Sequence, residues 1–298
     1  MLPWQANALM AGGQTLGLAV MGTVSGALLP AVGLGTTSLV CALGVLPALL
    51  LILGVLERPG ERYLPECAAR CLPGGNAPIP ELAPLPVEAS LKDKAADVVR
   101  GLLNPSIIFL LIAVLLGAST NGIGEVVWAA VALERGISAK TFALVRAATA
   151  LVAALAGMAV SPYFDAIGTR PMFIGGLVGF VVTYSAVAVL GDTLPLTGTQ
   201  LMAGVCFAGF AGQFLFIAFI AKAMALCADS LAAATQFAAI MAVNNLSGTI
   251  GAAIVTLKLF DKPIGHFPLM AGMAALAIIP ISLVPDKIDG KKKPTDMH

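Results

Sequence analysis

The feature that most constrains this chain is a succession of apolar runs, each about 20 residues long or longer and nearly free of charge. An α-helix rises ~1.5 Å per residue and the hydrocarbon core of a bilayer is ~30 Å thick, so about 20 apolar residues make one crossing. Eight runs qualify, at approximately 6–30, 36–56, 105–133, 141–161, 172–190, 196–221, 231–257 and 264–284. Turn and charge signals separate them: Pro30 to Gly35, Glu134-Arg135-Gly136, Ser161-Pro162, Gly191-Asp192 and Asp261-Lys262-Pro263. Hydrocarbon offers no water to unpaired backbone groups, so each run must be a helix, and the alternation that a barrel needs is missing. The expectation is an all-α polytopic membrane protein with about eight transmembrane helices. The first run is not read as a secretory signal, because no positive segment precedes it, it is too long, and a second full run follows at once.

Composition narrows the function. Hydrophobic residues make up 58% of the 298 and charged residues only 11%, against about 25% charged in an ordinary soluble domain. Too little charge is present to coat a soluble enzyme. The net charge of +1 leaves no basic surface for nucleic acid. Cys41, Cys67, Cys71, Cys206 and Cys227 form no disulfide framework. Cys67 and Cys71 lack a second ligand pair, and the two histidines, His266 and His298, lie far from them. No phosphate-binding loop, His-Glu-x-x-His, Gly-x-Ser-x-Gly or Asp-rich cluster occurs. The expectation is a non-enzyme without catalytic residues, cofactor or metal.

Basic residues orient the spans. With the 57–104 segment inside, the cytoplasmic face holds Arg58, Arg62, Arg70, Lys92, Lys94, Arg100, Arg170, Lys222, Lys287, Lys291, Lys292 and Lys293. The other face holds only Arg135, Lys140, Lys258 and Lys262. Both termini are therefore expected in the cytoplasm. The chain divides into 1–56 with two spans, a Pro-rich cytoplasmic linker at 57–104, a six-helix bundle at 105–285 and a Lys-rich tail at 286–298. The end of the linker, 89–100, reads as a short surface helix. Gly13-x-x-x-Gly17 and Gly22-x-x-x-Gly26, and Asn244 with Gly248 and Gly251, are small-residue faces suited to close helix packing.

The segment from Ser161 through Asp165, Gly168 and Arg170 to Pro171, set between the second and third spans after the linker, resembles the short cytoplasmic loop motif of the major facilitator superfamily. Ser161 and Thr169 depart from that motif. Ala234-Thr235-Gln236-Phe237-Ala238, Asn244-Asn245-Leu246-Ser247-Gly248 and the stretch from Asn104-Pro105 to Ile137-Ser138 are similar to AmpG-like muropeptide permeases and their siderophore-importing relatives. The resemblance covers nearly the whole chain, as helices five to twelve of a twelve-helix permease, with no counterpart of the first four. It implies a partial N-terminal half followed by a complete C-terminal half of a facilitator-type bundle in the inner membrane. It also implies alternating access and proton-driven import of a small solute, muropeptide- or siderophore-like. In that reading the Asp165/Gly168/Arg170 loop holds one state of the cycle closed. The competing expectation is a non-transporting truncated membrane subunit or remnant that docks a partner through loop 57–104; the protein partners expected of the chain are a missing N-terminal half or another protein chain.

Charge inside hydrocarbon is costly, so intramembrane polar residues are the site candidates. Asn121, Glu125 and Trp128 share one helix face by their spacing. Glu125 lies about eleven residues before the turn near 136 and Arg146 about ten after it, so an antiparallel hairpin sets them at similar depth and an ion pair is expected. Gln213, Gln236 and Asn244 are the uncharged candidates for the solute and proton pathway, with Gln236 and Asn244 placed on one face. The amides serve equally as interhelical hydrogen-bonding groups. Lys222 and Asp229 read as interfacial anchors at a cytoplasmic helix end.

Overall fold

The computed structural model describes residues 90–285, except 194, 195 and 229, together with scattered positions between 13 and 46. The first two expected spans fall largely outside the described residues. So do most of the linker, Cys67, Cys71 and the tail at 286–298. The chain divides into two compact units, one of residues 1–23 with 92–298 and the other of residues 24–91. In the second unit residues 35–43 are helical, and the Thr37 hydroxyl donates to the Gly33 carbonyl at 2.8 Å.

The first unit is helical throughout its described part, with no strand among those residues. Its helices are α1 (Leu91–Leu102), α2 (Pro105–Glu134), α3 (Ala139–Ile167), α4 (Thr169–Thr193), α5 (Gly198–Cys227), α6 (Ala233–Thr256) and, after a 3₁₀ turn at Pro263–Gly265, α7 (His266–Leu283). The last six, from α2 to α7, are long and apolar enough to cross a membrane, as six of the eight apolar runs lead one to expect. The surface helix expected at 89–100 is α1.

Local chemistry sets the ends. Asn104 caps α2 through its side chain, which accepts from the Ser106 N–H at 2.9 Å, and Pro105 takes the first turn, where its missing donor costs nothing. At the other end Gly136 is left-handed (φ 75°); its N–H bonds Leu133 and the next N–H bonds Ala132, closing a Schellman turn. Thr197 and Gln200 form a capping box at the start of α5. The turn expected at Ser161-Pro162 lies instead at Gly168, the only residue between α3 and α4, with φ 90°. A proline removes one helical hydrogen bond but keeps a helical φ. A left-handed glycine turns the chain away.

The six spans pair in a pattern that repeats. The most extensive contacts are α2 with α6 and α4 with α5, followed by α4 with α7, α2 with α7 and α3 with α5. Exchanging α2, α3 and α4 for α5, α6 and α7 maps this set onto itself: α2/α6 becomes α5/α3, α2/α7 becomes α5/α4, and α4/α7 is unchanged. Three helices make an odd number of crossings, so the two triplets run in opposite senses across the bundle.

Lipid supplies no hydrophobic drive between helices, so fit and interhelical hydrogen bonds must hold them. At the α2/α6 seam the backbones touch. A Cβ on Gly122 would collide with the Gly248 carbonyl and one on Gly251 with the Ser119 carbonyl, while the Ser119 hydroxyl donates to the Ser247 carbonyl at 2.9 Å. The expected face of Gly248 and Gly251 is therefore used. Gly13 and Gly17 have nothing within 4 Å of a Cβ, and Gly22 and Gly26 lie outside the described residues. Hydroxyls within the spans bond their own helix one turn back, as Thr120 to Leu116, Thr149 to Val145 and Thr183 to Gly179.

Candidate functional site

Five of the six spans, α2 through α6, line one cavity of about 740 Å³. Helix α2 supplies Asn121, Glu125 and Trp128, which the helical repeat sets on one face as expected. Helix α3 supplies Arg146 and Thr149, α4 supplies Phe180 and Tyr184, α5 supplies Gln213, and α6 supplies Asn244 and Asn245. Glycines in the lining let neighbouring side chains pack close: a Cβ on Gly209 would meet Thr149 and one on Gly124 would meet Met270.

Arg146 Nη2 donates to Glu125 Oε1 at 2.5 Å. Both are the sole charged side chains among the described residues that line the cavity. The pair is not sealed: the Glu125 side chain is 50% and that of Arg146 34% exposed. Each charge offsets part of the cost of placing the other within the bundle, a cost that exposure to the cavity already reduces. The hairpin closed at Gly136 brings them level. Asn121 reaches toward Gly212 on α5, and Gln213, buried, packs near Gly157 of α3.

Trp128 and Tyr184, almost wholly buried within the cavity wall, form an aromatic cluster with Phe267. The Trp128 and Phe267 centroids are 4.7 Å apart edge to face, and Phe180 stacks on Tyr184 at 5.3 Å. Tyr184 and Phe180 were not singled out in the sequence. A tyrosine in the middle of an apolar run was the available signal.

Other candidates lie elsewhere. Gln236 does not line the cavity. It is buried against Gly101 of α1, and its Oε1 has no hydrogen-bond partner. Eight residues advance a helix by about 80° beyond two turns, enough to turn Gln236 away from the face of Asn244. Lys222 is not an outward anchor either: it is buried, 2% exposed, and its ammonium donates to the Pro285 carbonyl just beyond α7. Asp229 lies outside the described residues. In the loop motif, Gly168 makes the turn and Arg170 sits half-buried in the first turn of α4, while the side chain of Asp165 lies outside the description. His266 is buried at the head of α7, its Nδ1 3.1 Å from the Pro263 carbonyl and its ring edge-on to Phe260.

Helix α1 is tied to the bundle. The Asp97 carboxylate accepts from the Ser230 hydroxyl at 2.7 Å and from the Leu231 N–H at 2.8 Å, in the connection between α5 and α6. Cys206 lies 3.1 Å from the Thr149 hydroxyl, and Cys41, Cys206 and Cys227 are free thiols. No group of acidic, cysteine and histidine side chains among the described residues is arranged to hold a metal ion. Compared with protein families, with curated proteins and with solved structures, the chain gives no match to any of them.

Proposed function

We propose that the chain is a secondary transporter of the major facilitator type, moving a small polar solute across the inner membrane by alternating access coupled to protons. The observation that carries this reading is the ion pair of Glu125 and Arg146, half-exposed in an open cavity of about 740 Å³ that five membrane-length helices line. A bundle serving only as an anchor gains nothing from charge facing an internal space, which costs free energy in hydrocarbon. The pairing of two inverted helix triplets supports the same reading, because nested three-helix repeats around a central site are a common architecture of such carriers. Amides on three walls suit a solute rich in hydroxyl and amide groups, such as a muropeptide or a siderophore. The basic residues favour a cytoplasmic location for both termini.

The test is uptake by the purified full chain in proteoliposomes under an inward proton gradient, with a labelled disaccharide-tripeptide muropeptide and a ferric siderophore as probes. Accumulation several-fold above protein-free vesicles is expected. The Glu125→Arg/Arg146→Glu exchange, which keeps a static pair but reverses its polarity toward the cavity, is expected to abolish it. Undiminished uptake in the exchanged protein would reduce the pair to a structural tie. Labelling residues 57–104 and 286–298 on opposite faces of the membrane would overturn the orientation.

The anchoring of α1 favours a second reading, a non-transporting subunit that docks a partner through 57–104. Asp97 fixes the end of that segment while Val99 and Arg100 stay exposed. Absence of flux for every probe, with a partner protein retained only when 57–104 is present, would favour it.

A further inference from the structure

The Glu125–Arg146 pair also limits which solutes the cavity can take. A guanidinium has five N–H donors and a carboxylate two acceptor oxygens. The observed contact joins one atom of each, and both side chains face open space. Both therefore have capacity for a ligand. An anionic solute that draws Arg146 away leaves Glu125 uncompensated beside it in the cavity wall, and a cationic solute does the same to Arg146. A solute carrying both charges a few ångströms apart leaves neither alone.

We propose that this pair is a zwitterion subsite, opened by a solute whose carboxylate takes Arg146 and whose ammonium takes Glu125. The rest of the wall suits an amino-acid-type zwitterion with an apolar substituent. Asn121, one turn before Glu125, and Asn245 of α6 are exposed and offer neutral amides to polar groups without adding charge. Phe142 and Phe216, half-buried in the cavity lining, give an aromatic surface for the substituent, with the buried ring of Trp128 beside them. The volume of about 740 Å³ exceeds that of the charged head alone. The proposal deepens the transporter reading and rests on it only in taking the cavity as the solute's place.

Binding can be read without transport. The chain has two tryptophans, Trp4 and Trp128, so Trp4→Phe leaves Trp128 as the sole reporter, on the cavity wall. The full chain in nanodiscs is titrated with L-phenylalanine, its methyl ester (cation only) and N-acetylphenylalanine (anion only), while Trp128 emission is followed. L-Phenylalanine is expected to saturate the signal, and the two singly charged probes to bind at least about tenfold more weakly, the loss attending one charge-assisted hydrogen bond. Glu125→Gln is expected to move the preference toward the N-acetyl probe, and Arg146→Gln toward the ester. Arg146→Lys, which keeps the charge, should still prefer the zwitterion, and it serves as the folded control should a neutralised variant not fold. Equal binding of all three probes, no response to any of them, or parallel changes in all three across the variants would overturn the proposal. A zwitterion preference without gradient-driven flux of L-phenylalanine or the uptake probes would sink the transporter reading and leave the subsite standing. Flux of a muropeptide without that preference would do the opposite.

Discussion

The carbonyl oxygen of Gly248 fills the space that a Cβ on Gly122 would need, so α2 and α6 meet backbone to backbone. One turn along, Gly251 stands in the same relation to Ser119. No rotamer change relieves a clash with a carbonyl. Gly122→Val and Gly251→Val are each expected to cost at least about 1–3 kcal/mol, read as a lower unfolding midpoint in detergent and loss of the monodisperse elution peak. Gly175→Ala and Gly272→Ala, where a Cβ would meet nothing within 4 Å, should be neutral or stabilise by up to ~1 kcal/mol. A uniform response from all four would show that the seam is not specific.

Because the Glu125–Arg146 pair faces the cavity rather than the lipid, its worth to stability is small. A double-mutant cycle with Glu125→Gln and Arg146→Gln should give a coupling of about 1 kcal/mol or less, while uptake in either single variant falls by tenfold or more. A coupling several times larger, with uptake preserved, would mark the pair as structural.

Asp97 holds α1 through two hydrogen bonds to its carboxylate. Bonds to a charged group are worth about 1.5–3 kcal/mol when shielded, and partial exposure reduces that here. Asp97→Ala is expected to speed amide hydrogen exchange across 91–102 by roughly tenfold and to leave exchange in α4 and α7 unchanged. Protection that persists in α1 would mean that its apolar face alone seats it.

Gly168 is left-handed at φ 90°. Gly168→Val should cost about 1–2 kcal/mol in backbone strain, and Gly168→Asn less. The ordering of their unfolding midpoints checks the turn itself, independently of any role for Asp165 or Arg170.

Much of this arrangement was legible before folding was considered. Six apolar runs became six helices long and apolar enough to cross a membrane, because length and missing charge leave a chain few alternatives in hydrocarbon. Glu125 and Arg146 could be paired by counting outward from Gly136, since both sides of a hairpin rise at the same rate. Helix phase and contacts with distant parts of the chain were not legible in the same way. Gln236 left the face of Asn244 because eight residues are not a whole number of turns. Lys222 looked like an anchor because nothing near it in sequence shows that residue 285 returns to cover it. The face of Gly248 and Gly251 could be read from spacing, but nothing in the sequence marked Gly122, among 32 glycines, or Ser119 as what meets it.

The bond from Lys222 to the Pro285 carbonyl has a practical corollary. Helix α5 carries both Lys222 and Gln213, nine residues or ~14 Å apart, so the strand of protein leaving α7 is moored to the same rod that forms one side of the cavity. A purification handle or fluorescent domain joined close behind Pro285 will pull on that mooring, and spacers of graded length should restore native behaviour as the load comes off.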